Sequence, residues 1–310
     1  MHWLDLVGRD PVPWLLDPAN PSARYQTLKH IFRLPQEDLD AEQQRILDWK
    51  PVATLRRNWD PINHWGRAEN PYYGGPVGNF GTLILLAQLG VPCIPEVEAA
   101  CENLILHGKR EDGLFAPEGA GAAPWLSYSG LALHSLEHFG LGDDPRVLSA
   151  WDVLLRVIKE DPQGLNYRLT DRSTRAGAVK ALRALIHRDE DQMSPQKKEV
   201  IEILVRYLLA HTYKWEGEDA DWLLPRFPRY YDSDIVEFCH VLAHTDSRNR
   251  SVVQQATQRL LELQDEGGRW PKMKSTPAFS EERIFRPSRW LTFEAVHALM
   301  LLYGDEIYAP

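Results

Sequence analysis

The sequence predicts an all-α chain made of repeated helical hairpins, and three observations predict it. Residues 231–270 contain a complete unit of helix, turn, helix and glycine turn. Six segments with helical spacing of apolar residues end near Arg33, Gly90, Gly140, His187, His244 and Gly304, between 47 and 60 residues apart, as suits hairpins joined by loops of unequal length. Each of these ends but the last is followed by a second amphipathic segment, and several of those by a glycine–aromatic turn, as at 111–115 and 163–167.

In chain order, the turn cluster at 17–22 offers Asn20 or Ser22 as the cap of a helix over 23–32, with Tyr25, Leu28, Ile31 and Phe32 on its apolar face. Residues 1–21 are read as a short arm of one domain spanning 1–310. A helix over 38–49 breaks at Pro51 and resumes over 52–59. The loop 60–75 holds Trp65, Tyr72, Tyr73 and several glycines, and is long enough to fold over the mouth of a barrel. Residues 76–89 are apolar nearly all round, as in a helix enclosed on every side, and Gly78 and Gly81 admit a close backbone.

Further helices are expected over 95–107, 125–139, 146–159 and 174–186, the last capped by Asp171 or Ser173. Ser194 and Pro195 open another that reaches Tyr213. The insertion 214–229 carries Trp215, Trp222 and Phe227. Next, 231–244 places Ile235, Phe238, Val241 and Leu242 on one stripe, and 248–263 is its partner. A polar loop over 271–288 precedes a last helix over 289–303.

Composition limits the function classes. With 44% hydrophobic residues the chain can bury a substantial core, yet it has no apolar run long enough to cross a bilayer. The start lacks the pattern of a signal peptide, and three cysteines cannot all pair, so a soluble protein of the reduced cytoplasm is expected. A formal charge of −9 without clustered Lys and Arg argues against a nucleic-acid partner.

The run Gln264-Asp265-Glu266-Gly267-Gly268-Arg269-Trp270 resembles the Q-x-x-x-G-x-W motif of squalene-hopene cyclases and their relatives, the terpenoid cyclases and protein prenyltransferase β subunits. This resemblance implies an α/α toroid, a double-ring barrel of inner and outer helices. It also implies catalytic groups at the N-terminal ends of the inner helices and an apolar, isoprenoid-like small molecule as partner. Parallel inner helices would gather unsatisfied amides at that end.

Asp232 and Asp234 are the candidate proton donors there, since two carboxylates at one helix start can share a proton. The commoner role of such residues is as caps, and Asp234 with Glu237 three residues on imitates a capping box. The cyclases' D-x-D-D motif lacks its last Asp here. Candidate substrate-binding residues are Trp125, Tyr128, Tyr231, Trp290, Tyr73 and Trp65, whose ring faces can stabilise a carbocation, together with Arg175 and Glu294.

No metal or other cofactor is expected. His134 and His138 fit H-x-x-E-H, and His240 with His244 has the same i, i+4 spacing, but both pairs fall in a last helical turn, where histidines are stabilised anyway. The prenyltransferase D-x-C pattern with a later histidine is absent, and so are phosphate-loop, nucleophile-elbow and dinucleotide motifs. The leading expectation is acid-initiated cyclisation or isomerisation in an aromatic-lined cavity. A noncatalytic binder of a hydrophobic ligand or partner protein, and an (α/α)6 carbohydrate-active enzyme, remain alternatives.

Overall fold

The computed structural model describes residues 2–118, 125–160, 172–187, 194–274, 279 and 281–304. The turn at 163–167 and the cap candidate Asp171 lie outside them, as does the side chain of Ser173.

Thirteen helices form among the described residues, all but the first, a single turn in the N-terminal arm, in segments where the sequence placed helices. They are α1 (Val12–Leu15), α2 (Pro21–His30), α3 (Gln36–Asp48), α4 (Lys50–Arg57), α5 (Asn79–Leu89), α6 (Pro95–His107) and α7 (Trp125–His138). The series continues with α8 (Pro145–Glu160), α9 (Arg172–Ile186), α10 (Pro195–Ala210), α11 (Ile235–Ala243), α12 (Ser251–Glu262) and α13 (Arg289–Tyr303). The short strands β1 (Pro271–Lys272) and β2 (Arg286–Pro287) pair antiparallel. No described helix is long and apolar enough to cross a membrane.

Caps act largely as the sequence indicates. Asn20 Oδ1 accepts from Ala23 N, and Ser194 Oγ from Lys197 N. The starts expected at 76 and 248 fall three residues late, at Asn79 and Ser251, and the largest shift is at α11. α11 begins at Ile235, four residues later than the periodicity suggests, because Asp234 is extended and its carboxylate accepts from Glu237 N. An N-cap lies outside helical dihedrals by construction of the turn.

Six helices make successive contacts, α5 with α7, α7 with α9, α9 with α11, α11 with α13 and α13 with α2. Side chains complete the circuit: Ser22 Oγ donates to Leu89 O, and Gln26 Nε2 to Gln88 O. Five of the six carry a partner helix, α3 on α2, α6 on α5, α8 on α7, α10 on α9 and α12 on α11. On α13 lie α1 and the 3-10 turn Trp3–Leu6 of the N-terminal arm instead.

The Gln264–Trp270 motif fastens that arm. Gln264 Oε1 accepts from Gly8 N, and its Nε2 donates to Leu6 O and to Leu261 O, so one amide caps α12 and grips the arm together. Trp270 is fully buried and donates to Leu260 O.

Neighbours run in the same sense where their pairs step together. Between α7 and α9, Gly177 lies against Leu126 and Ser127, and Gly130 against Lys180 and Ala181. Both glycines abut the neighbouring helix, so these two axes approach unusually closely. Trp290 meets Ser22 and His297 meets His30, giving α13 and α2 one direction.

Candidate functional site

Histidines recur in or just beyond the C-terminal halves of the circuit helices: His30 on α2, His134 and His138 on α7, His187 after α9, His240 and His244 on and after α11, and His297 on α13. All seven line one chamber of about 600 Å³, to which α5 adds Ala87 and Gln88. Every helix of the circuit therefore contributes to it.

The rings fall into two groups. In one, His240 Nε2 lies 3.0 Å from His297 Nδ1, and the His244 ring is centred 5.1 Å from His240 and 5.4 Å from His297. In the other, His134 and His187 are centred 4.7 Å apart, and His138 Nε2 donates to Val91 O at 2.9 Å. Burial disfavours the imidazolium of the enclosed rings, holding His138 at about 4 and His297 at about 3, and His30, His134 and His240 well below the ordinary value. These five rings are uncharged at neutral pH. Cations come from Lys29, Arg33 and Arg183, and an apolar wall from Phe227, Trp290 and Phe293.

A buried ion network lies beside the chamber. Glu237 accepts from Lys180 Nζ and Ser233 Oγ and pairs with Arg183, while Glu294 pairs with Arg183 and Arg229. Burial alone would raise both carboxyls. Lys180 and the arginines outweigh it at Glu237, held at about 2, and Arg229 and Arg183 do so at Glu294, which lies below its usual range. Both glutamates are thus ionised anchors. The segment before α11 crosses to α5, since Gln88 Nε2 donates to Arg229 O and Arg229 N to Gln88 Oε1. Within it Phe227 stacks on Trp290 at 4.6 Å, inclined by 3°.

Of the catalytic and substrate-binding candidates singled out in the sequence, the structure brings Trp290 and Glu294 to the chamber, where the four histidines weighed for metal also lie. Asp234 is fully buried elsewhere, accepting from Glu237 N, Arg226 N and Arg229 Nε. The Asp232 side chain is 56% exposed and pairs with Arg226. Tyr128 and Tyr231 are centred 4.7 Å apart in an aromatic group with Tyr72 and Phe80. Trp125 is partly buried against the core. Arg175 is buried on Asp219, Trp65 donates to Leu55 O, and exposed Tyr73 lies under the Arg67 guanidinium.

Sequence reasoning weighed His134 with His138 and His240 with His244 only as separate helix-end pairs and passed over their convergence with His30, His187 and His297, although a signal existed. Five of the six helix-end segments carry a histidine within seven residues of their end, a recurrence visible once the ends are aligned.

These features define a mostly helical protein with an imidazole-lined internal site. In comparison with known proteins, the chain matches no family model, no curated protein and no solved structure.

Proposed function

We propose that the six contacting helices form the inner ring of an α/α toroid, and that the central chamber receives a small amphiphilic anion with an isoprenoid-like tail. The reading is carried by one observation, that all six helices line the same chamber. Its volume of about 600 Å³ suits a ligand of modest size. An anionic head meets Lys29 and Arg33, and the tail lies along Phe227, Trp290 and Phe293.

In this reading proton transfer moves from Asp232 and Asp234 to the imidazoles. The neutral imidazoles are weakened as bases by burial, which still suffices to take a proton from a carbocation, so isomerisation or cyclisation ending in proton loss from a cation is the reaction class. A carbohydrate hydrolase would use two opposed carboxylates. Among the described residues the chamber lining carries one, Glu294, which is already bonded to two arginines.

Titration with geranyl diphosphate, inorganic diphosphate and geraniol tests the proposal. Geranyl diphosphate should bind more tightly than either part alone, and Lys29→Ala should weaken it about tenfold, the value of a lost charge-assisted contact. Binding without any product supports the noncatalytic alternative. Equal affinity for geraniol and geranyl diphosphate, or no binding of any of the three, overturns the reading.

A further inference from the structure

We propose that His240, His244 and His297 form a site for one divalent first-row transition metal, Zn²⁺ or a close substitute, in the wall of the chamber. One ligand nitrogen from each ring lies within 4.8 Å of the other two. His240 and His244 are four residues apart and so share a face of α11, while His297 reaches them from the adjoining α13. The 3.0 Å between His240 Nε2 and His297 Nδ1 serves a hydrogen bond. It is also close to the separation of two nitrogens that bind one metal at about 2.1 Å each.

Metal binding would replace the His240–His297 hydrogen bond and use its two nitrogens as ligands, leaving the ring proton of His240 on Nδ1, which is buried. Uncharged imidazole is the ligand form, and three imidazoles suit zinc, copper, nickel or iron. Arg183, the nearest strong cation on α9, is neutralised by Glu237 and Glu294. Because all three histidines line the chamber, a metal among them keeps a coordination position open to it.

The ligand set is this chain's own. Cys239 is fully buried and is not part of the chamber lining, and Asp234 is committed to its cap and to Arg229. The proposal stands independently of the amphiphilic ligand.

The test uses the full chain without a polyhistidine tag, stripped by chelator and titrated with Zn²⁺ calorimetrically and with Co²⁺ by visible absorption. One equivalent should bind with intense Co²⁺ bands, and Zn²⁺ should raise the melting temperature. His240→Gln with His297→Gln should weaken Zn²⁺ at least 100-fold, while the metal-free circular dichroism and melting temperature hold. Should that pair fail to fold, His244→Gln, at the exposed rim, should weaken it at least tenfold. His134→Gln with His138→Gln, and Lys29→Ala, should leave metal binding intact, which separates this site from the diphosphate reading. No stoichiometric binding at micromolar Zn²⁺, binding that survives loss of His240 and His297, or binding that follows the His134 and His138 pair would each overturn it.

Discussion

At the scale of single residues, Asp232 and Asp234 differ far more than their spacing suggests. Asp234 accepts two backbone amides and the Arg229 guanidinium in full burial, so Asp234→Asn keeps a cap but sets a neutral amide against a buried cation. It should cost about 3 kcal/mol in denaturant unfolding. Asp232→Asn, at a carboxylate that is itself half-exposed and whose Arg226 partner also pairs with Asp221, should cost less than about 1 kcal/mol.

His138 gives a second residue-level expectation. Burial lowers its folded pKa to about 4, against the Val91 bond that raises it, while the unfolded value is ordinary. Between pH 6.5 and about 4 the unfolded chain takes up a proton that the folded one refuses. The stability present above pH 6.5 therefore falls on acidification, by up to about 1.4 kcal/mol per pH unit. Unfolding at pH 7 and pH 5 should show a smaller difference for His138→Gln than for the wild type. The sequence exposed the cap role of Asp234 through Glu237, but not Arg229, which lies upstream in an insertion with no periodic pattern.

At the scale of elements, the α7–α9 contact is set by glycine. A Cβ on Gly130 would lie 2.6 Å from the Lys180 carbonyl carbon and 2.7 Å from Ala181 N, backbone atoms that no rotamer change can move. Gly130→Ala adds about 1 kcal/mol of helix propensity, yet the clash should leave a net loss of about 2 kcal/mol, measurable in a denaturant midpoint. Most helices were readable from period and punctuation, including the break before Pro51 and the glycine ends at Gly90, Gly140 and Gly304. Gly78 and Gly81 do meet a close backbone, that of Tyr73 to Pro76 in the preceding loop. What periodicity cannot give is the partner of each face. His240 and His244 looked like an isolated helix-end pair because His297 is supplied from a different hairpin.

For the whole molecule, the repeat of helix pairs was legible from spacing, whereas the working end was not. The family resemblance directed attention to N-terminal helix ends. There, buried ion pairs and the segment before α11 occupy the interior, and the described chamber is lined largely from the other halves of the helices. Its polarity was hidden for a second reason, since five of the six circuit helices contribute only one or two histidines each and α5 contributes none. The grip of Gln264 on Gly8, across 256 positions, carries a consequence for the order of assembly. During synthesis the arm leaves the ribosome long before its clamp exists. Successive hairpins can dock on those already made, but the seam where α2 meets α13 waits for the final helix. So distant a contact gains nothing until a large loop has closed, which makes the seam slow to form. Until then the apolar flank of α2 that faces α13 stays bare, and a chain halted before α13 leaves it available to chaperones or to other unfinished chains.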